Sequence, residues 1–154
     1  MNWEAIGAVG EVLSSIAVLL TLIYLASQIK QSNDLARFNA TKEIVNQFNQ
    51  LNQMVASDAS LRSLLGKPSA LSSDEREQIY NFAIMWCNVW LSSQIALDNH
   101  QIDQETYAAC AKDVHVELAR WPNFRAGVEQ WLGNYPEHAH RQIFQPVVRG
   151  TTQG

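Results

Sequence analysis

The sequence predicts an all-α protein in which a long N-terminal transmembrane helix continues into a compact bundle of about four to five helices. Three observations predict it. Residues Val12 to Ile29 form an uncharged, largely apolar run of 18 residues. Beyond it, apolar residues recur at three- and four-residue steps, and no segment alternates with period two long enough to make a strand. Capping and stopping residues punctuate those periodic segments, and no internal repeat is present.

The apolar run comes first. Ten of its 18 positions are Val, Leu or Ile, which at roughly −0.3 to −0.6 kcal/mol each favour insertion by about 3 to 6 kcal/mol. Ser14, Ser15, Thr21, Ser27 and Gln28 offset part of that gain. As a helix the run spans about 27 Å, close to the hydrocarbon thickness of a bilayer. Residues 5–10 extend its apolar character upstream, interrupted by Glu11. Trp3 and Tyr24 lie 21 residues apart, about 31 Å along a helix, and suit aromatic anchors at the two membrane interfaces. The alternative is a fully buried core helix of a soluble bundle; a run this long favours the membrane.

Lys30, Arg37 and Lys42 follow the run, whereas Glu4 and no basic residue precede it. An excess of Lys and Arg marks the cytoplasmic side, so the N-terminus is expected outside, Lys30 at the inner interface and the C-terminal domain in the cytoplasm. The missing basic n-region argues against a cleaved secretory signal. Asn39-Ala40-Thr41 matches the glycosylation acceptor pattern, a coincidence in a cytoplasmic segment. One face of the span carries small residues, Gly7, Gly10, Ser14, Ala17 and Thr21, a stripe that lets helix backbones approach closely in lipid. Glu11 lies beside it. An intramembrane carboxylate in a helix–helix contact is one reading, and a solvated group at headgroup depth is the favoured one.

The run continues, without Pro or Gly, into residues 28–53, which hold ten Asn or Gln. Phe38, Ile44, Val45, Phe48, Leu51 and Val55 keep helical spacing there, which argues for a packed helix ending near Ser57 rather than low complexity. Residues 58–65 read as a short helix or turn, stopped by Gly66-Lys67-Pro68. Ser72 to Glu75 has the capping-box form S-x-x-E. In the helix it opens, Ile79, Phe82, Ala83, Trp86, Val89, Trp90 and Ala96 line one face and Tyr80, Ile84, Cys87, Leu91 and Ile95 another. Burial on two sides makes this helix central, with its end near residues 98–100. Asp103 caps a further helix to about Arg120, with Tyr107, Cys110, Ala111, Val114 and Leu118 inward. Pro122 suits the first turn of the next, which presents Phe124, Val128, Trp131 and Leu132 and stops at Gly133-Asn134. Pro136 opens a last short helix that carries Ile143 and Phe144 and halts at Pro146. The domains so read are residues 1–30 as the transmembrane helix, 31–149 as the cytoplasmic helical domain and 150–154 as a disordered tail.

Composition excludes some functions. A net charge of −4, a pI near 5.5 and basic residues that form no cluster exclude a nucleic-acid partner. Cys87 and Cys110 form no CxxC pair and read as buried free thiols of a reducing compartment. His138 and His140, two apart, point to opposite sides of a helix and lack the spacing of metal ligands. His115 reads as an ordinary core or surface histidine, and with Cys110 at i,i+5 it forms no nucleophile–base pair. Trp86, Trp90 and Trp131 with Phe82, Tyr107 and Phe124 read as core rather than a ligand pocket. No GxSxG, GxxxxGK[ST] or GxGxxG occurs. No enzyme activity, metal or cofactor is expected.

The N-terminal NWEAIGAVGE and the following TLIYLASQIKQSN resemble the opening of a family of short, uncharacterised bacterial proteins. These enter one apolar helix through a similar tryptophan–glutamate–glycine segment and leave it through a similar TLIYLA-x-QI-[KR]-Q exit. The likeness covers about a fifth of the chain, roughly its first 33 residues; downstream it is one of pattern only. It implies a bacterial inner-membrane protein with one span and lends no functional residue. The expectation is therefore a single-pass membrane protein, the bilayer its first partner, with a cytoplasmic helical domain that binds a protein partner or itself. A soluble helical dimer burying its N-terminal helices, or a small-ligand sensor domain, is the alternative.

Overall fold

A computed structural model describes residues 2–151, apart from the side chains of Ala5 and Thr151. Among the described residues every regular element is helical. α1 runs unbroken over Trp3–Ser57, followed by α2 (Ala59–Leu65), α3 (Ser73–Asp98), α4 (Gln104–Arg120), α5 (Pro122–Asn134), two single 3₁₀ turns (Pro136–His138 and Gln142–Phe144) and α6 (Gln145–Thr151). The chain divides into two compact units between Phe38 and Asn39, so that α1 contributes to both.

In the second unit, α3 is the central helix. Its start is the expected capping box: the Ser72 hydroxyl accepts from the Glu75 N–H, and the Glu75 carboxylate accepts from the Ser72 N–H. Lys67 donates to the same carboxylate at 2.7 Å and ties the preceding loop to the cap. The far end closes as a Schellman motif. His100 takes a left-handed φ of 57°, its N–H reaching the Leu97 carbonyl and that of Gln101 the Ala96 carbonyl, a role usually given to glycine. Asp58 and Asp103 cap α2 and α4 through their side chains. Trp121 ends α4 and begins α5 in one extended residue, with Pro122 in the first turn, where a missing N–H costs nothing.

The aromatic face of α3 makes the core. Phe82, Trp86 and Trp90 pack on Phe124 of α5 with ring centroids 5.7 to 6.1 Å apart, and Phe48 of α1 meets Trp86 edge-on at 5.8 Å. The lower part of α1 joins through Ile44, Leu51 and Val55, which are buried, and Ala40 and Phe48, which are half-buried. Phe38 and Val45 do not belong to that stripe; they are 64% and 47% exposed. The inward positions step by four, four, three and four from Ala40, a narrow seam that leaves Phe38 and Val45 to one side. On α3 the second face is only partly covered: Cys87 is buried, Tyr80, Ile84 and Leu91 are half-buried and Ile95 is exposed.

The C-terminal region departs from the sequence reading. Pro136 opens a single 3₁₀ turn instead of a helix. Pro146 does not stop a helix but sits in the first turn of α6, where its fixed φ suits helix initiation. Val147 of α6 is buried beside Ile143 and Phe144. Gly150 and Thr151, expected in a disordered tail, belong to α6; the rest of that tail lies outside the described residues.

A buried polar seam crosses the helical layers. Gln94 on α3 is 6% exposed. Its Oε1 accepts from the Tyr107 hydroxyl of α4 at 2.6 Å and from the Ile143 N–H at 3.2 Å, while its Nε2 donates to Asp98. Asp98 in turn accepts from Arg141 at 3.0 Å. Gln94→Leu leaves the Tyr107 hydroxyl and the Ile143 N–H buried without a partner and should cost about 2–4 kcal/mol in denaturant titrations, against about 1 kcal/mol for Tyr107→Phe. The double variant should cost little more than Gln94→Leu alone, because both substitutions break the same bond.

Gly127 lets α5 come close to α3. A Cβ there would lie 2.9 Å from the Ala83 Cβ and 3.3 Å from Ile79 atoms. Gly127→Ala should therefore lower stability by about 1–3 kcal/mol despite the better helix propensity of alanine. Gly133→Ala, whose Cβ meets nothing within 4 Å, should be neutral or slightly stabilising in the same thermal melts.

Candidate functional site

Two features stand out, one in each unit. In the first unit α1 is long and apolar enough to cross a membrane, and none of the residues in that stretch is buried. The large apolar side chains between Ile6 and Ile29 are exposed from 48% at Ile16 to 67% at Ile23. Successive residues are turned by about 100°, so Val18-Leu19-Leu20, Leu22-Ile23 and Tyr24-Leu25 cover most of the circumference and leave one narrow face, which Ser14, Ala17 and Thr21 share. Three hydroxyls are satisfied within the helix. Ser14 donates to the Gly10 carbonyl, Ser15 to that of Glu11 and Thr21 to that of Ala17, at 2.8 to 2.9 Å. This lowers the cost of carrying them into hydrocarbon.

The small-residue stripe Gly7, Gly10, Ser14, Ala17 and Thr21 is exposed along this stretch, and a Cβ at Gly7 or Gly10 would meet nothing within 4 Å. Glu11 lies among these residues, also exposed. Trp3 and Tyr24 are 71% and 62% exposed, and Lys30 is exposed as well.

The second feature is a groove of about 470 Å³ in the helical domain. Its first wall is the lower part of α1: Thr41, Ile44, Val45, Phe48, Asn49 and Asn52, an i, i+3, i+4, i+7, i+8, i+11 set that shares one helix face. Its second wall is the start of α4: Asp103, Glu105, Thr106, Ala109, Cys110 and Asp113. Every charged group on the lining is an acid; the neighbouring Lys42 and Lys112 are exposed and lie off it.

The acids differ in their surroundings. Asp103 is engaged in capping α4, and the Thr106 N–H, at 2.7 Å, holds its carboxyl below the usual carboxylate range. Asp113 is half-buried, and loss of water pushes its carboxyl up to about 6, against the opposing pull of the Trp90 indole and with a further push from Glu117. The Trp90 Nε1–H donates to Asp113 over 3.4 Å, and no cation pairs with Asp113 among the described residues. Glu117, one turn on, is buried and likewise raised by desolvation, with Arg120 at 3.9 Å opposing that shift.

The other residues weighed in the sequence do not build a site. Cys87 and Cys110 are buried free thiols, both raised by desolvation. The Trp86, Trp90, Trp131, Phe82, Tyr107 and Phe124 set is core. His138 stacks on Trp131 at 5.4 Å, His115 and His140 are exposed, and no three His, Cys, Asp or Glu side chains converge among the described residues. Asp113 was not singled out in the sequence; its place one turn beyond Cys110, on the edge of the apolar stripe of α4, was the available signal. No family model, curated protein or solved structure matches the chain.

The raised carboxyl of Asp113 has a definite sign in stability. The folded state holds the proton more tightly than the unfolded chain, whose carboxyl titrates near 3.8, so stability falls as pH rises from about 4 through about 6. Asp113→Asn should remove that component. Its melting temperature should exceed that of the parent at pH 7 and converge with it near pH 4, which parallel thermal melts would read.

Proposed function

We propose that the chain is a single-pass membrane protein of the bacterial inner membrane, with its N-terminus outside and its helical domain in the cytoplasm for binding a protein partner or a second copy of itself. The observation that carries this reading is the upper part of α1, apolar around most of its circumference and exposed throughout. In water such a cylinder leaves its large aliphatic side chains solvated at about 25 cal/mol per Å²; in lipid that surface is at home, and the helix already satisfies its own backbone. Lys30, Arg37 and Lys42 on the C-terminal side support the orientation. Trp3 and Tyr24 serve as interface anchors, and the Gly7 to Thr21 stripe, with Glu11 beside it, offers the surface for helix pairing within the bilayer. The bacterial assignment rests on the resemblance of the N-terminal segment.

The reading makes a two-part prediction. Membranes washed with alkaline carbonate should retain the full-length chain, and Leu19→Arg with Leu22→Arg should release it. Two arginines near the span centre cost about 5–7 kcal/mol, more than the roughly 2–5 kcal/mol that the remaining eight aliphatic positions supply. Release of the unaltered protein as a monodisperse oligomer in detergent-free buffer would overturn the anchor and favour a soluble dimer that buries its N-terminal helices.

A further inference from the structure

The groove between α1 and α4 has the volume of a small-molecule site, and its lining selects among ligands. The floor is apolar, with Ile44 and Cys110 buried and Phe48 half-buried. The charge is of one sign, and Asp113 is the acid set against that floor, with one long indole bond and no ion pair among the described residues. An anion would meet three carboxyl groups and no base. A neutral apolar molecule would strip more water from Asp113 and return no charge. A cation with an apolar body does both jobs at once, since its charge compensates the desolvated carboxylate while its body covers the floor and lies against the Phe48 ring.

We propose that this groove binds a small amphipathic organic cation, an amine or quaternary ammonium with an aryl or alkyl body, its charged group on Asp113 and its body over Ile44 and Phe48. Asn49 and Asn52 supply a neutral polar rim that competes with Asp113 for the ligand no more than water does. The inference stands apart from the anchoring reading, because every lining residue belongs to the second unit.

The test uses the full chain in nanodiscs, with empty nanodiscs as the blank, and isothermal calorimetry at pH 7.5. The probes are 2-phenylethylammonium and benzyltrimethylammonium, with 2-phenylethanol as neutral isostere and 3-phenylpropionate as anion. At least one cation should saturate with a Kd of about 1 mM or below. The alcohol should bind at least about tenfold more weakly and the anion not measurably. Asp113→Asn keeps the shape and the indole acceptor and should lose at least about tenfold in cation affinity while melting no lower than the parent. Ala109→Trp, which fills the groove from an exposed position, should lose binding with Asp113 in place, and Glu105→Gln should change it less than about twofold. Equal affinity for cation and alcohol, unaltered cation binding in Asp113→Asn, or no saturation by either cation up to about 10 mM overturns the proposal. None of these outcomes bears on whether the chain is held in a membrane, which carbonate extraction reads separately.

Discussion

Trp86 is the contact on which the helical domain depends. It is 1% exposed and its ring meets Phe48 of α1, Phe82 and Trp90 of its own helix and Phe124 of α5 at centroid distances of 5.5 to 6.3 Å. Edge-to-face and tilted pairs of this kind contribute about 0.5–1.5 kcal/mol each beyond the area they bury. More important is their reach. The Trp86 ring links α1, α3 and α5 at once, and the lower part of α1 joins the bundle through a thin seam of Ala40, Ile44, Phe48, Leu51 and Val55. That seam is also what leaves room for a groove along its flank.

The aromatic cluster gives cohesion without much direction, and the polar seam supplies the direction. Gln94 uses its carbonyl for Tyr107 and Ile143 and its amide for Asp98, which leaves one buried side chain fixing α3, α4 and the second 3₁₀ turn in register. Asn123 does the same for the opposite corner, its amide donating to the Leu64 and Lys67 carbonyls at 2.9 Å across more than fifty residues of sequence. Such amides, buried at Gln94 and half-buried at Asn123, are costly when a bond is missing, so they penalise alternative packings more than they reward the native one. A domain with many interchangeable aliphatic and aromatic contacts acquires a single arrangement in this way.

How much of this was legible in the sequence follows from the range of each interaction. The caps at Ser72 and Asp103 act over three residues, and both lie where local pattern places them. The apolar periods of α3 and α4 act over one or two turns, and their inward faces were readable in the same way. Pro146 was misread because proline ends one helix and begins another with equal local plausibility; the burial of Val147 and Phe144 decides between them. Phe38 and Val45 were misread because helical spacing alone does not say how wide the covered stripe is. Gln94 was not legible, and Asp113 offered only its place on the edge of the α4 stripe. Their meaning comes from Tyr107, Ile143 and the facing wall of α1, which no window of sequence around either residue contains.

The lower part of α1 also explains why the groove keeps its sign. Between residues 39 and 53 the solvent-facing positions are mostly Asn and Gln, with Lys42, Glu43 and Val45 as the exceptions. Glu43 is bonded to Gln47 through a side-chain hydrogen bond of 2.9 Å. Amides are good enough helix formers and acceptors to keep the face wet, yet they place no fixed charge opposite α4. A lysine or arginine at position 45, 49 or 52 would put a cation on the groove lining that also holds Asp113, as Lys67 stands beside Glu75 at 2.7 Å. With Val45, Asn49 and Asn52 in those places, the carboxyl of Asp113 is left to be balanced by a proton, by solvent ions, or by whatever cation the groove admits. The neutrality of one helix face is therefore what leaves the charge of the other available.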